Sequence, residues 1–301
     1  MRTQGVFNRT MPNQRAVPTL RRRRLGEALL AARKAIEPDL SQEKAALAMG
    51  WDESKLSRIE NARARIKPAE VVKLLDVYGV TDQSVITALE GLAKDAGKQG
   101  WWQTFGDVVA LGYKDYLTLE SDAESTHIWA PQLIPGLLQT GSYAREIISA
   151  TALTRTPEEV TALAEVRKAR QSILTRPQNP LNLWAVLDSG ILHKRSAAYP
   201  SMMREQIRHL LDMADLPNVT IQLMELEATP HPGLVGGFHV IRFPRPWPTV
   251  INLENLRGGY FVEGTADAKV FETAFERIVA AALSVDDSRQ RLKKHLERNT
   301  E

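Results

Sequence analysis

The sequence predicts an α+β protein: an N-terminal all-α unit of five helices, followed by a larger mixed α/β domain. Three observations predict it. Residues 20–97 place apolar side chains at helical spacing, punctuated by caps and breakers. Short apolar or alternating runs appear only beyond residue 180, interleaved with helical stretches. Charge also divides along the chain. The net charge is only +3, but residues 1–80 hold 16 Lys and Arg against 9 Asp and Glu, a net of +7, and the rest hold 23 against 27, a net of −4. A length of 301 residues suits two domains at roughly 100–200 residues each.

Each element has a local reason. Residues 1–19 are polar, with Pro12 and Pro18, and read as a flexible arm. Leu25, Leu29, Ala32 and Ile36 then share one helix face, and Pro38 stops that helix. Ser41 caps a second helix over Gln42–Met49, and Gly50 turns the chain. Asp52 caps a third over Glu53–Asn61. Pro68 starts a fourth, with Val71, Leu74, Leu75 and Tyr78 apolar and Gly79 closing it, and a fifth spans Asp82–Asp95. The Gly97–Gly100 stretch marks the boundary, giving an arm at 1–19, a helical domain at 20–97 and a mixed domain at 98–301. In the latter, helices are expected over Asp115–Ala130, Thr140–Ala150, Pro157–Leu174, Ser201–Leu216, Ala268–Leu283 and Asp287–Arg298. Strands are expected over Leu181–Leu187, Val219–Leu226, Phe238–Phe243 and Thr249–Leu253, and Gly233–Gly237 reads as a hairpin turn rather than a phosphate cradle, because a strand follows it.

The absence of cysteine excludes disulfides, cysteine-ligated zinc, iron–sulfur clusters and a cysteine nucleophile. No apolar run is long enough to span a membrane, and the N-terminus lacks the apolar core of a secretory signal, so a cytoplasmic, nucleoid-associated location is expected. None of the six histidines has metal-ligand spacing to another, Ser189-Gly190 lacks the glycines of a nucleophile elbow, and Glu120, Glu254 and Glu263 show no acid–base pairing. No metal, no cofactor and no enzymatic activity are expected.

The second and third helices carry the clearest chemistry. They are short, joined by a glycine turn and set inside a five-helix unit, the arrangement in which the second helix of a pair enters the major groove. The stretch Leu40-Ser41-Gln42-Glu43-Lys44-Ala45-Ala46-Leu47-Ala48-Met49-Gly50, continued by Ser54-Lys55-Leu56-Ser57-Arg58-Ile59-Glu60-Asn61, resembles the phage-repressor-like (Cro/C1, XRE) family over residues 20–80. Ala45, Ala46, Met49, Leu56 and Ile59 are expected to face the core. Glu53, Ser54, Ser57 and Arg58 are left to project outward, with Lys55 beside them; Arg58 suits a bidentate contact to guanine, and Glu53 can accept from cytosine or simply favour the helix dipole. Gln42 resembles the family's phosphate-binding glutamine. Asn61, Arg63, Arg65 and Lys67 form a basic loop suited to the DNA backbone. The chain departs from the family where a glycine often follows the Glu-Asn pair, since Ala62 stands there. The resemblance implies a sequence-specific regulator bound to double-stranded DNA, as a homodimer on an inverted repeat.

The larger part resembles the C-terminal domain of a group of actinobacterial antitoxin-like regulators. The pieces that carry this are Tyr116-Leu117-Thr118-Leu119-Glu120, the run from Trp129 to Thr140 with its Pro135-Gly136-Leu137-Leu138-Gln139, Tyr143-Ala144-Arg145, Arg167, Ala169-Arg170-Gln171, Gln206, Leu210, Pro217-Asn218-Val219, Gly237-Phe238 and Glu254. This resemblance implies a small acidic partner protein or a small-molecule ligand, either in a regulator or in an antitoxin that sequesters its partner and regulates its own operon. The residues themselves first suggest a structural role, with Pro135-Gly136 making a turn, Leu137 and Leu138 docking into a core, and Gln139 and Thr140 capping the next helix; the alternative is a recognition surface, for which Trp129, Leu138, Gln139 and Tyr143 are the candidates.

Overall fold

The computed structural model describes residues 19–36, 40–98, 100–151, 153–256 and 258–298. Apart from Thr19, the expected arm lies outside these residues, as does Pro38. The chain divides into two compact units, 1–98 and 99–301.

The first unit is helical: α1 (Leu20–Lys34), α2 (Gln42–Ala48), α3 (Glu53–Glu60), α4 (Pro68–Val77) and α5 (Gln83–Asp95). Side chains cap four of these helices, at Ser41 and Asp52 as the sequence places them and also at Thr19 and Asp82. Thr19 accepts from the Arg22 N–H, Ser41 from Lys44, Asp52 from Lys55 and Asp82 from Ser84. Each such cap contributes about 1 kcal/mol. Gly50 turns the chain between α2 and α3 with φ +67°. Leu25, Leu29, Ala45, Ala46, Leu56, Ile59, Val71, Leu74 and Leu75 are buried together as the core, whereas Met49 is only half-buried. A Cβ on Gly26 would sit 2.5 Å from the Glu60 carbonyl oxygen, so α1 reaches α3 only because that residue has no side chain.

The second unit contains α6 (Leu111–Asp122), β1 (Ser125–Ala130), α7 (Gly141–Thr151), α8 (Pro157–Arg170), β2 (Asn182–Asp188), α9 (Met202–Met213), β3 (Val219–Met224), β4 (Phe238–Arg242), β5 (Val250–Asn255), β6 (Gly258–Glu263), α10 (Thr265–Ala281) and α11 (Val285–Arg298). The six strands form one mixed sheet in the order β3-β2-β1-β4-β5-β6. β1, β2 and β3 run parallel, while β4, β5 and β6 join antiparallel. α10 closes one face over Trp129, Val186, Phe238, Val240 and Ile251, using Phe275 and Ile278. The protein is thus α+β.

Three expectations are corrected. The helix over Asp115–Ala130 ends at Asp122, and Ser125–Ala130 becomes β1. That strand lies between β2 and β4, so its pairing partners, all distant in sequence, override the helical pattern that precedes it. β6 was not expected, because Gly258 and Gly259 weaken a strand pattern; its ladder to β5 holds it. The Gly233–Gly237 segment is no hairpin turn. Pro232–Val235 is a 3-10 helix on the crossover from β3, at the sheet edge, to β4, near its centre.

Candidate nucleic-acid interface

α2 and α3 meet through a tight connection in which the Trp51 N–H donates to the Ala46 carbonyl at 2.8 Å. Leu56 and Ile59 fill the inner side of α3, with 0% and 2% exposure. Its outer side carries Glu53, Ser54 and Arg58, all exposed, with Ser57 half-buried. Asp52 accepts from Ser54 Oγ at 2.5 Å and from the Lys55 N–H at 2.7 Å, and these bonds hold its carboxyl below the usual range. Ser54 is therefore engaged locally, whereas no such bond holds the first-turn acid Glu53 among the described residues.

Lys55 differs from its neighbours. Its Nζ lies 3.0 Å from Glu70 Oε1 and 3.7 Å from the centre of the Trp51 ring. The Lys67 backbone N–H, followed by Lys55, holds Glu70 below its ordinary value. The Lys55 cation thus fastens α3 to α4 as much as it offers charge to a ligand.

A buried polar node stands behind the outer face. Glu60, only 4% exposed, receives Arg33 through both oxygens, from Nε at 2.7 Å and Nη2 at 2.9 Å. Gln42 Nε2 donates to the same carboxylate at 2.6 Å, and the Tyr78 hydroxyl at 3.3 Å. Arg33 also donates to the Leu40 carbonyl at 2.9 Å. Burial, then the negative charge of Glu60, pushes the Tyr78 phenol well above its ordinary value, so it stays a neutral donor. One node thereby joins α1, α3, α4 and the start of α2. Gln42 thus has its amide nitrogen committed inward to Glu60. Sequence reasoning missed Arg33, Glu60 and Tyr78 as a unit, because the pairs are 27 and 18 residues apart.

The basic loop is folded back onto the end of α3. The N–H groups of Arg63 and Ala64 both donate to the Arg58 carbonyl, at 2.6 Å and 3.0 Å. Ala62 achieves this by adopting φ +57°, the left-handed conformation that suits the glycine often found there. Asn61 donates from Nδ2 to the Ser57 carbonyl at 2.8 Å, while Arg63, Arg65 and Lys67 are exposed. Burial, and next the charge of Arg65, lowers the affinity of Arg22 for its proton, so Arg22 of α1 lies in the positive field of the loop.

The four candidate residues of the second unit have a different setting. Trp129, Leu138, Gln139 and Tyr143 are 2%, 0%, 4% and 0% exposed. In this conformation the four are buried, as the docking of the loop into the core expects, and they do not form an exposed surface for a protein partner. Gln139 and Tyr143 bond within the loop over residues 131–140, and Trp129 ties β1 to the Pro232–Val235 segment. Trp129 Nε1 donates to the Gly233 carbonyl at 2.8 Å, and Gln139 bonds Ile134 O through Nε2 and accepts from Arg167 through Oε1, both at 2.7 Å. The Gln206 amide grips the loop at two points, accepting from the Thr140 N–H at 2.7 Å and donating to Leu138 O at 2.6 Å. Below this loop Arg170 forms a buried bidentate pair with Glu120, Nε to Oε2 at 2.5 Å and Nη2 to Oε1 at 2.8 Å. The Tyr116 hydroxyl meets Glu120 at 3.1 Å and His239 Nδ1 at 3.0 Å. Burial, then Glu120, raises the Tyr116 phenol well above its usual range, and burial lowers His239. Among the described residues, no group of three His, Asp or Glu side chains is placed to hold a metal, and no helix is long and apolar enough to cross a membrane.

A family model described as a domain of unknown function (DUF5753) matches residues 113–294, well over half of the chain. The chain belongs to that family. A second model, described as a helix-turn-helix domain, matches residues 18–88, which span α1 to α4 and the start of α5. No curated protein and no solved structure matches. This DUF5753 protein is therefore a DNA-binding regulator, with its helix-turn-helix in the first unit.

Proposed function

We propose that the protein is a sequence-specific transcriptional regulator of the phage-repressor-like (Cro/C1, XRE) type, binding an inverted-repeat operator as a homodimer. One observation carries this reading. α3 turns Leu56 and Ile59 into the core and leaves Glu53, Ser54 and Arg58 outside, behind a turn short enough to present the helix to a major groove. Arg58 reads a guanine, and Ser57 and Ser54 meet bases or phosphates. Gln42, Asn61, Arg63 and Arg65 contact the backbone and set the register. The acidic balance of the remaining chain keeps it off the phosphates. The second domain receives a small partner protein or ligand that shifts operator affinity, a coupling supported by the domain's resemblance to such regulators. The antitoxin-like alternative rests on that same resemblance alone. The reading involves no catalytic step.

The test is equilibrium binding to a panel of operator variants, with each base pair substituted in turn. Arg58→Ala is expected to cost about 1–3 kcal/mol and to relax preference at one position in each half-site. An unchanged preference profile would remove Arg58 from the reading.

A further inference from the structure

The two edges of the six-stranded sheet are finished differently. At β3 the edge is occupied by the segment leading into α11. The Leu223 N–H donates to Ser288 Oγ at 2.9 Å, and the Leu223 carbonyl accepts from the Leu283 N–H at 2.9 Å. Gln222 Nε2 adds a bond to the Leu283 carbonyl at 2.7 Å. At the opposite edge, β6 pairs with β5, and among the described residues no other backbone group bonds to it. Tyr260 is 56% exposed on this strand, with Leu256 and Val270 exposed in the adjoining turn and on α10. β6, Gly-Gly-Tyr-Phe-Val-Glu, has no lysine or proline to guard the edge. An open apolar edge of this kind is a template for another strand.

The order of residues on β6 selects the occupant. Hydrogen-bonded and non-bonded pairs alternate along an antiparallel ladder, so a strand paired with its own copy across a two-fold axis must set one residue opposite itself. With Tyr260 at that centre, Gly259 lies opposite Phe261 of the copy and Gly258 opposite Val262. Phe261 and Val262 then lie across from glycines, the cross-strand arrangement in which an aromatic ring covers the bare backbone, and Tyr260 meets Tyr260 of the copy as an aromatic pair. Glu263, the one charged side chain of the strand, never faces its own copy.

We propose that β6 pairs antiparallel with β6 of a second copy, centred on Tyr260, so that one sheet runs through both C-terminal domains of a dimer. This rests on the homodimer reading and names its interface. The natural chain contains no cysteine, so a single introduced thiol reports its own neighbourhood. Directly opposed Cα atoms in such a pair lie about 4.5–5.5 Å apart, within the roughly 4.4–6.8 Å that a disulfide spans.

The experiment uses the full chain without DNA: sedimentation of the natural protein and Tyr260→Lys, and mild oxidation of Tyr260→Cys and Glu263→Cys, with thermal unfolding confirming that each variant folds. The proposal expects a natural dimer, a covalent dimer from Tyr260→Cys but not from Glu263→Cys, and dimer affinity weakened about tenfold or more by two opposed lysines in Tyr260→Lys. A dimer that Tyr260→Lys leaves intact and Tyr260→Cys does not cross-link would overturn the β6 pairing and leave the homodimer reading standing. A natural protein that is monomeric at micromolar concentration would overturn both.

Discussion

In the N-terminal unit the buried pair Arg33–Glu60 stands behind an exposed helix face; in the second domain the buried pair Arg170–Glu120 stands behind a loop whose Ile134, Pro135, Leu137, Leu138 and Gln139 are buried. The chemistry of the two nodes is alike. Each joins a guanidinium to both carboxylate oxygens and adds a tyrosine hydroxyl. What differs is the direction in which the supported residues point. Gln42 leads from Glu60 toward the surface of α2, while Arg167 and Gln139 lead inward to fix residues 131–140. An unusual run of residues can therefore be unusual because it meets a ligand, or because a loop needs many specific bonds to stay in a core.

The largest expected effect separates the two nodes. Removing one partner of a buried pair leaves an uncompensated charge and costs about 3–5 kcal/mol. Glu60→Ala and Glu120→Ala should both lower the unfolding free energy of their own domain by that order, read from urea titration. Only Glu60→Ala should also weaken DNA binding under conditions where the protein remains folded, because it releases Gln42. Equal loss of DNA binding in Glu120→Ala would break the comparison. Next comes Arg58→Ala, with its loss of about 1–3 kcal/mol in DNA affinity and no change in the unfolding midpoint. Gly26→Ala sharpens the contrast from the packing side. Its methyl would meet the Glu60 carbonyl, so a stability loss of about 1–3 kcal/mol is expected by denaturation, with the second domain's transition unmoved.

A smaller effect belongs to the second domain alone. Burial, followed by the charge of Arg242, lowers the His127 imidazole to about 4. The folded state thus keeps it neutral, while the unfolded chain takes up a proton near the ordinary value of roughly 6.5. Stability is full above that value and falls as pH drops toward 4. His127→Gln should flatten this acid limb in pH-dependent unfolding; an unchanged slope would refute the assignment. The smallest effect is that of Arg65→Ala, which should weaken all DNA sequences alike and make the salt slope shallower by about one unit. A loss confined to particular sequences would contradict a phosphate role.

What could be read from the sequence was whatever is decided locally. Ser41, Gly50 and Asp52 set the ends of α2 and α3 because caps and turns involve residues within three positions. The inward side of α3 was legible from the spacing of Leu56 and Ile59. β1 was not, since a central strand is selected by β2 and β4 rather than by its own pattern. β6 was hidden by its glycines. The docking of Leu137 and Leu138 was legible from the Pro135-Gly136 turn before them, but the partner of Trp129 was not, since the Gly233 carbonyl that receives it lies 104 residues away. Lys55 shows the same limit within the helix-turn-helix: it sits among outward residues, and only the fold reveals that Glu70 and Trp51 hold it.

The central claim is that the outward face of α3 reads DNA. Its most direct test is genome-wide footprinting with the full-length protein at physiological salt, run beside Arg58→Ala. The account predicts discrete footprints sharing an inverted repeat, with one position in each half-site losing its preference in the variant. Absence of footprints from the intact protein, or an identical motif from Arg58→Ala, would contradict it.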